Sequence, residues 1–290
     1  MLIDLHSHTK ASDGQLTAKE LVERAANRQV DILAITDHDT IDGLLEAQQT
    51  IEEKGLKLTL INGIEITTNW LNHEIHVVGV NIDPQHPSLS ALIVEQKEKR
   101  EARAIEIGRR LEKAKIPGVY EAAKKLAGDG AITRAHFARH LVEIGIAPTF
   151  PKVFDKYLSR GNTGYVPHDW VSIEQAIRVI HEAGGQAILA HPNHYKLSNK
   201  WIRRLLTDFK QLNGDAMEVA MGQQPPQTRQ LLAMWSAEYG LLASQGSDFH
   251  FVGRWRDLGR GLNLPEIATP VWQAWPSYQA LVAKQEENTI

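Results

Sequence analysis

Apolar residues fall along this chain in short, nearly continuous runs that alternate with longer amphipathic stretches. The runs LIDLH (2–6), DILAIT (31–36), KLTLINGIEIT (57–67), EIHVVGVNI (74–82), QAILA (186–190), DAMEV (215–219) and LLASQ (241–245) predict strands. Residues 17–29 predict a helix, because Thr17 and Glu20 have capping-box spacing ahead of Leu21, Val22 and Ala25. SIEQAIRVIHEA (172–183) stops at Gly184-Gly185, and a helix over 226–239 stops at Gly240. Strands that are apolar on both faces and alternate with helices predict a parallel or mostly parallel sheet covered by helices. Pattern alone leaves open whether seven such strands close into a barrel.

The alternation breaks between about 88 and 163. A long charged helix (SLSALIVEQKEKREARAIEIGRRLEKAK) is followed by helical pieces around YEAAKKLAG and TRAHFARHLVEIG, and no strand pattern returns until after Gly164. The expected organisation is therefore an α/β unit of 1–87 and 164–290, carrying a helical insertion of 88–163.

Composition narrows the function. The 290 residues are 42% apolar and 23% charged, ordinary values for a soluble globular chain. No run approaches the roughly 20 apolar residues of a membrane span, and MLID begins as a strand rather than a signal peptide. A cytoplasmic location is the expectation. A net charge of −3 argues against a broad basic surface for gripping long nucleic acid, while leaving room for a local anion pocket. Cysteine is absent, so any metal must be held by imidazole and carboxylate.

Thirteen histidines matter mainly for where they fall. The first strand runs into His6, His8 and Asp13, and the second into Asp37, His38 and Asp39. The third carries Glu65 and the hairpin-like fourth His76. The fifth ends at His191, the sixth contains Glu218, and the seventh ends at Asp248 and His250. Loops at the carboxyl ends of strands converge in α/β sheets and barrels, so these side chains are expected to share one site. A thiolate-free donor set suits Mn²⁺, with Zn²⁺ or Fe²⁺ as alternatives. It exceeds the roughly four to six ligands that one ion takes. Several ions together would lower the pKa of a bridging water and neutralise phosphoryl oxygens.

DLHSHTKASDG, ITDHD, GIEI, HVVG (76–79), AHP and SDFH, in this order, resemble the PHP (polymerase and histidinol phosphatase) superfamily. The resemblance implies a distorted (β/α)7 barrel with three divalent metal ions at its C-terminal mouth. By position it makes His6, His8, Asp13, His38, Glu65, His76, His191, Asp248 and His250 the metal ligands. Glu65 is implied as the bridging carboxylate, and Glu65, Asp248 and His191 as the residues closest to the chemistry. One ion would lie among His6, His8, Glu65 and Asp248, a second among Glu65, His76 and His191, and a third among Asp13, His38 and His250. HEIHVVGVNID, DGAITRAHFARHLVE, YLSRGNTGYVP and GDAMEVA are similar to the subgroup of 3′,5′-nucleoside bisphosphate phosphatases and the 5′→3′ exonuclease RNase AM. The substrates so implied are nucleoside 3′,5′-bisphosphates and short 5′-phosphorylated RNA or DNA. No membrane and no obligate protein partner are expected. A phosphatase for a small metabolite such as histidinol phosphate is the alternative, and a non-catalytic metal-binding subunit a more distant one.

A 5′-phosphate needs a second anion site. Arg134, just after Thr133 at a predicted helix N-terminus, is the first candidate, with Arg103 and Arg100 on the preceding helix beside it. Asp13 and Asp37 are the acidic residues expected near substrate. Arg109 and Arg110 read as a solvated helix face laced with glutamates. Asp39 could orient His38, bind substrate or cap a helix, and Asp4 could buttress the first imidazole pair. One of His136 and His140 is expected at the cleft. His194 could approach the leaving group, and His73, His86, His168 and His181 read as surface or packing. Trp235, Trp255, Trp272 and Trp275 read as packing.

Overall fold

The computed structural model describes residues 1–167, 169–254 and 256–287, so His168 and Trp255 lie outside the described residues. The elements are β1 (Ile3–Asp4), α1 (Ala18–Asn27), β2 (Ile32–Ile35), α2 (Gly43–Lys54), β3 (Thr59–Trp70) and β4 (His73–Val80). A helical stretch follows: α3 (Pro87–Lys113), α4 (Val119–Ala127), α5 (Arg134–Glu143), α6 (Phe150–Val153) and a π-helical turn (Phe154–Leu158). The chain then forms β5 (Val171–Ser172), α7 (Ile173–Glu182), β6 (Gln186–Leu189), α8 (Asn199–Gln211), β7 (Ala216–Met221), α9 (Pro226–Glu238), β8 (Leu242–Gly246) and α10 (Pro276–Glu287).

Strand order is β1-β2-β3-β4-β6-β7-β8, with short β5 pairing on β3. All pairings are parallel except those of β4, which is antiparallel to both β3 and β6. The first and last strands meet through Leu5 N–H to Gln245 O at 3.0 Å and His8 N–H to Phe249 O at 2.9 Å. The sheet is therefore a nearly closed barrel. Asp4 ties the seam: its carboxylate accepts from Ser247 N at 2.8 Å and Gly259 N at 2.8 Å.

Period-two alternation separates the inside of the barrel from the outside. Ile32, Ala34, Ile61, Val78, Val80, Ile188 and Ala216 form one cluster, sealed at one end by Val271, Trp272 and Trp275. Leu33 and Ile35 point the other way, onto α1 and α2, and Ile75, Val77, Ala187 and Leu189 onto the helices from α7 to α9. Thr36 and His38 continue the inward phase of β2, Glu65 that of β3, His76 that of β4 and Glu218 that of β7. The barrel floor is thus apolar and its mouth is made of imidazoles and carboxylates. The phase slips after β1, where Leu5 and His6 both face inward, and at His191 (φ 28°), whose left-handed backbone turns its side chain into the mouth; Asp248 (φ 49°) keeps the parity of Leu242.

The stretch from α3 to Leu158 has a cluster of its own, built around Ile107, Leu111, Phe137, Leu141 and Leu158. The first half of α3 belongs to the barrel instead. Leu89 and Leu92 join its cluster, and Gln96 and Arg100 bond to Asp39. The expected boundary at residue 88 therefore falls inside a continuous helix. The strands also differ from expectation: β1 keeps only two residues in regular pairing, and β5 was too short for its pattern to show.

Gly246 is where β8 passes closest to the first strand, since a Cβ there would lie 2.3 Å from the His6 Cβ. Gly246→Ala should cost about 1–3 kcal/mol through overpacking, read as a lowered unfolding midpoint. An unchanged midpoint would mean that this close approach does not constrain the seam.

Candidate metal centre

The Glu65 side chain is completely buried at the barrel axis, with five imidazoles around its carboxylate. Oε1 lies 3.0 Å from His76 Nδ1, 3.0 Å from His191 Nε2 and 3.4 Å from His6 Nε2. Oε2 lies 2.9 Å from His38 Nδ1 and 3.4 Å from His8 Nε2. Asp248 Oδ1 lies 3.3 Å from His8 Nε2, and Asp13 Oδ1 lies 3.2 Å from His250 Nε2.

The nine side chains expected at the strand ends thus come together. They fall into four overlapping groups whose donor atoms lie within 4.8 Å of one another: His8-Asp13-His38-His250, His6-His8-Asp248, His6-Glu65-His191 and His38-Glu65-His76. These groups differ in detail from the expected partition, because His8 sits with the Asp13 set and His6 with Glu65 and His191.

The donors crowd one another, and only some of the close approaches are hydrogen bonds: Glu65 Oε1 meets His76 Nδ1 and His191 Nε2 at bonding distance, 3.0 Å each. His6 Nε2 and His8 Nε2 face each other at 3.1 Å. His38 Nδ1 and Glu65 Oε2 are 2.9 Å apart, yet neither makes a hydrogen bond, and Asp13 Oδ1 is likewise buried without one. Buried polar atoms rarely go unpaired. Lone pairs aimed at shared points rather than at N–H groups are what cation coordination requires, and imidazole with carboxylate is a donor set for divalent transition metals. The residues present fit a divalent-metal centre.

Electrostatics agree. Burial works to lower the pKa of His76 and of His250, but Glu65 and Glu74 raise the first to about 10, and Asp13 and Asp248 raise the second to about 10. Burial, reinforced by the neighbouring His250, lowers His8 to about 3. Burial would raise Glu65, Asp13 and Asp248, yet the surrounding imidazoles hold all three well below the usual carboxylate range. The site is built to compensate negative charge with positive.

Glu218, at a strand tip but outside the expected ligand set, has a positioning role. Its Oε1 lies 2.7 Å from His6 Nδ1, and its Oε2 accepts from His191 N at 2.6 Å. It fixes the His6 ring so that Nε2 faces the cluster. Asp4 bonds backbone rather than imidazole, accepting weakly from His6 N at 3.4 Å.

Two residues expected at the substrate have structural partners instead of free ends, although Arg100 also lines a small cavity with Asp13, His38 and His76. Asp37 is buried and its oxygens accept from Thr9 N (2.7 Å), Thr9 Oγ1 (2.7 Å) and Ser12 Oγ (2.6 Å). It shapes the loop that carries Asp13, and it is buried with both oxygens engaged there. Arg100 is 8% exposed, donates to Asp39 Oδ2 (2.7 Å) and Thr67 Oγ1 (2.6 Å), and lies over the Trp170 ring. It fastens α3 to the barrel. Asp39 is the other half of that clamp, also accepting from Thr67 N and Gln96 Nε2, each at 2.9 Å.

Arg134 and Arg103 do face the mouth. Both pair with Glu74, Arg103 Nη1 at 3.2 Å from Oε2 and Arg134 Nη2 with Oε1, while Trp170 Nε1 donates to Oε2 at 2.9 Å. Burial opposes ionisation of Glu74, but Arg134 and its neighbours hold the carboxyl well below its usual range. No sequence signal singled out Glu74, which acquires its role from arginines 29 and 60 residues away.

A groove of ≈610 Å³ connects the Glu74–Arg134 pair to His38, Glu65, His76, His191 and Asp248, with Phe154, Arg160, Tyr165 and Lys196 also on its walls. His194 lies in it too, stacked on His191 at 5.6 Å. His73 lines its rim beside Trp70. His136 is instead buried at the start of α5, where Nδ1 accepts from Thr133 N at 3.1 Å. His181 pairs with Asp215 at 2.8 Å. His86 precedes α3, and Arg109 and Arg110 pair with Glu106. Trp235, Trp272 and Trp275 are buried.

A nearly closed barrel with this mouth defines a class, and the chain belongs to it: residues 4–150 match the model of the PHP domain family. Among its relatives is the 5′-3′ exoribonuclease Rnm of Escherichia coli K12, 54% identical over 279 residues, 96% of this chain and 95% of that one. A 3′,5′-nucleoside bisphosphate phosphatase of Chromobacterium violaceum is 41% identical over 273 residues, 93% of this chain and 95% of that one. The chain also superposes with a TM-score of 0.88 on a solved structure described as an amidohydrolase from Chromobacterium violaceum with bound sulfate and no metal. That structure is 40% identical, with 98% of this chain and 97% of the other covered.

Glu218→Gln would turn an N–H toward either His6 Nδ1 or the His191 N–H while preserving shape. It should weaken divalent-metal affinity roughly 10–100-fold, measured by competition with a chelator. Wild-type affinity would show that Glu218 does not set the ligand geometry.

Proposed function

We propose that this PHP-domain protein is a metal-dependent phosphoesterase that cleaves the bond between phosphorus and the 3′-oxygen of a nucleotide bearing a 5′-phosphate. Its substrates are nucleoside 3′,5′-bisphosphates and the 5′ ends of short phosphorylated RNA or DNA, and its proposed compartment is the cytoplasm. The single observation that carries this reading is the pairing of two anion sites along one groove. The imidazole–carboxylate cluster is one; the Arg134–Arg103 pair is the other, joined to it through Glu74, which also stands 3.8 Å from His76.

His6, His8, Asp13, His38, Glu65, His76, His191, Asp248 and His250 would hold three divalent ions, Mn²⁺ first among the choices. When bound, such ions acidify water and neutralise the oxygens of a phosphoryl group. The protein's own contribution is positioning. Glu218 and Asp37 fix the His6 ring and the Asp13 loop. Arg134, with Arg103 behind it, binds the 5′-phosphate through charge-assisted hydrogen bonds, and Arg160 and Lys196 add positive charge along the groove. The helical segment beyond the first half of α3 acts as an insertion roofing the mouth, since Arg134, Phe154 and Arg160 come from it. Net, water adds oxygen to phosphorus, the bond to the 3′-oxygen breaks, and that oxygen takes up a proton. A bisphosphate yields a 5′-mononucleotide and phosphate. A strand yields a 5′-mononucleotide and a chain one unit shorter.

One bond-breaking event accounts for the names of both relatives, the exoribonuclease and the bisphosphate phosphatase. A small-metabolite phosphatase would have no use for the arginine end of the groove.

Adenosine 3′,5′-bisphosphate and 5′-phosphorylated oligonucleotides should be hydrolysed far faster than histidinol phosphate or 5′-hydroxyl oligonucleotides, as product chromatography would show. Equal rates on all four would contradict the reading. Arg134→Ala should raise KM for 5′-phosphorylated substrates roughly tenfold or more with metal content unchanged. Glu74 keeps Arg103 and Trp170, so no unpaired buried charge results. An equal loss on a substrate lacking the 5′-phosphate would contradict that role.

A further inference from the structure

A second cavity, ≈240 Å³, opens on the other side of Asp248. It shares Asp248 and His194 with the groove and no residue with its arginine end. The two spaces meet at the metal-ligand cluster, where the reacting phosphorus would sit.

The cavity is polar and its polar groups are underused. Gln224 is buried, and its Oε1 accepts from Met221 N at 3.2 Å, which leaves Nε2 with no partner. Asn193 Oδ1 is likewise buried without one. Both residues line this space. An unpaired donor and an unpaired acceptor lining one small cavity match the mixed hydrogen-bonding edge of a ribose or a base. On the rim, the Arg256 guanidinium lies 5.3 Å over the Phe251 ring, a flat cationic surface. Its sequence neighbour Asp257 also lines the cavity and is paired with Arg24 at 2.7 Å and Arg28 at 3.4 Å.

The two substrate classes differ at this spot. In a nucleoside 3′,5′-bisphosphate the reacting phosphorus carries only free oxygens beyond its 3′-ester bond. In a strand, one of those oxygens is the 5′-oxygen of the next nucleotide, and that nucleotide needs a place on the side away from the 5′-phosphate. Resting on the function proposed above, we propose that this cavity receives the second nucleotide of a 5′-phosphorylated strand. Asn193 and Gln224 would bond its sugar or base, and Arg256 would face the phosphate that follows. Arg256 and Arg260 both line this small cavity, so a strand gains positive charge there that a bisphosphate does not reach.

The test compares kcat/KM on a 5′-phosphorylated trinucleotide and on adenosine 3′,5′-bisphosphate for wild type, Arg256→Ala and Arg256→Glu. Arg256 is exposed, so both variants are expected to fold, checked by unfolding midpoint and metal content. The trinucleotide-to-bisphosphate ratio should fall roughly tenfold in Arg256→Ala and further in Arg256→Glu. A ratio unchanged in both variants, or equal losses on the two substrates, would overturn the subsite while leaving the functional reading intact. Wild-type protein inert on both substrates would instead overturn that reading, and the subsite with it.

Discussion

A single carboxylate at the centre of five imidazoles organises this molecule. Removing an ionised carboxylate from water costs several kcal/mol after relaxation, and Glu65 is wholly excluded from water. Positive charge beside it, from His6 and His76 in the protein alone or from bound divalent cations, offsets that cost. Each strand end contributes its share because the closed sheet aims the inward side chains of β2, β3 and β4 at the axis, while the backbone at His191 bends to do the same. The barrel and the charge cluster are therefore one problem: a fold that failed to close would leave the carboxylates of Asp13, Glu65 and Asp248 without compensation.

The second layer of polar groups has a division of labour. Glu218 and Asp37 work on the barrel side, one aiming His6 and the other shaping the loop to Asp13. Asp39 and Glu74 work on the helical side. Asp39 clamps α3 through Gln96 and Arg100, and Glu74 keeps Arg103 and Arg134 at the mouth. The helical stretch is held to the barrel mouth by buried ion pairs, and the same arrangement leaves cationic side chains facing the groove.

Much of the site was legible in the sequence because strand tips carry their own punctuation. An apolar run that ends in histidine or aspartate declares both its direction and its mouth. Glu218 could have been read more firmly from strand parity, since Ala216 and Glu218 face the same way and Ala216 is barrel interior. Asp37 misled for a physical reason. It ends a strand like the ligands, but the hydroxyls of Thr9 and Ser12 consume it, and nothing in a linear sequence shows which acids will meet hydroxyls. Glu74 and Arg100 were hidden more deeply, because their roles depend on how α3 crosses from the barrel to the helical cluster. That helix also carries the chain across the point where the strand pattern stops, with residue 88 in its first turn. The antiparallel course of β4 followed from the tight turn at Leu71 and Asn72, whose φ values of 52° and 79° reverse the chain immediately after β3.

The central claim is that the side chains around Glu65 gather divalent cations into one multinuclear site. Anomalous diffraction at the manganese edge from crystals of the Mn²⁺-loaded protein tests it most directly. The account predicts more than one peak inside the barrel mouth, each roughly 2.0–2.3 Å from nitrogen or oxygen atoms of the nine residues, with Glu65 shared between two of them. A mouth without peaks, or ions bound elsewhere while His6, His8 and Glu65 keep their mutual contacts, would contradict it.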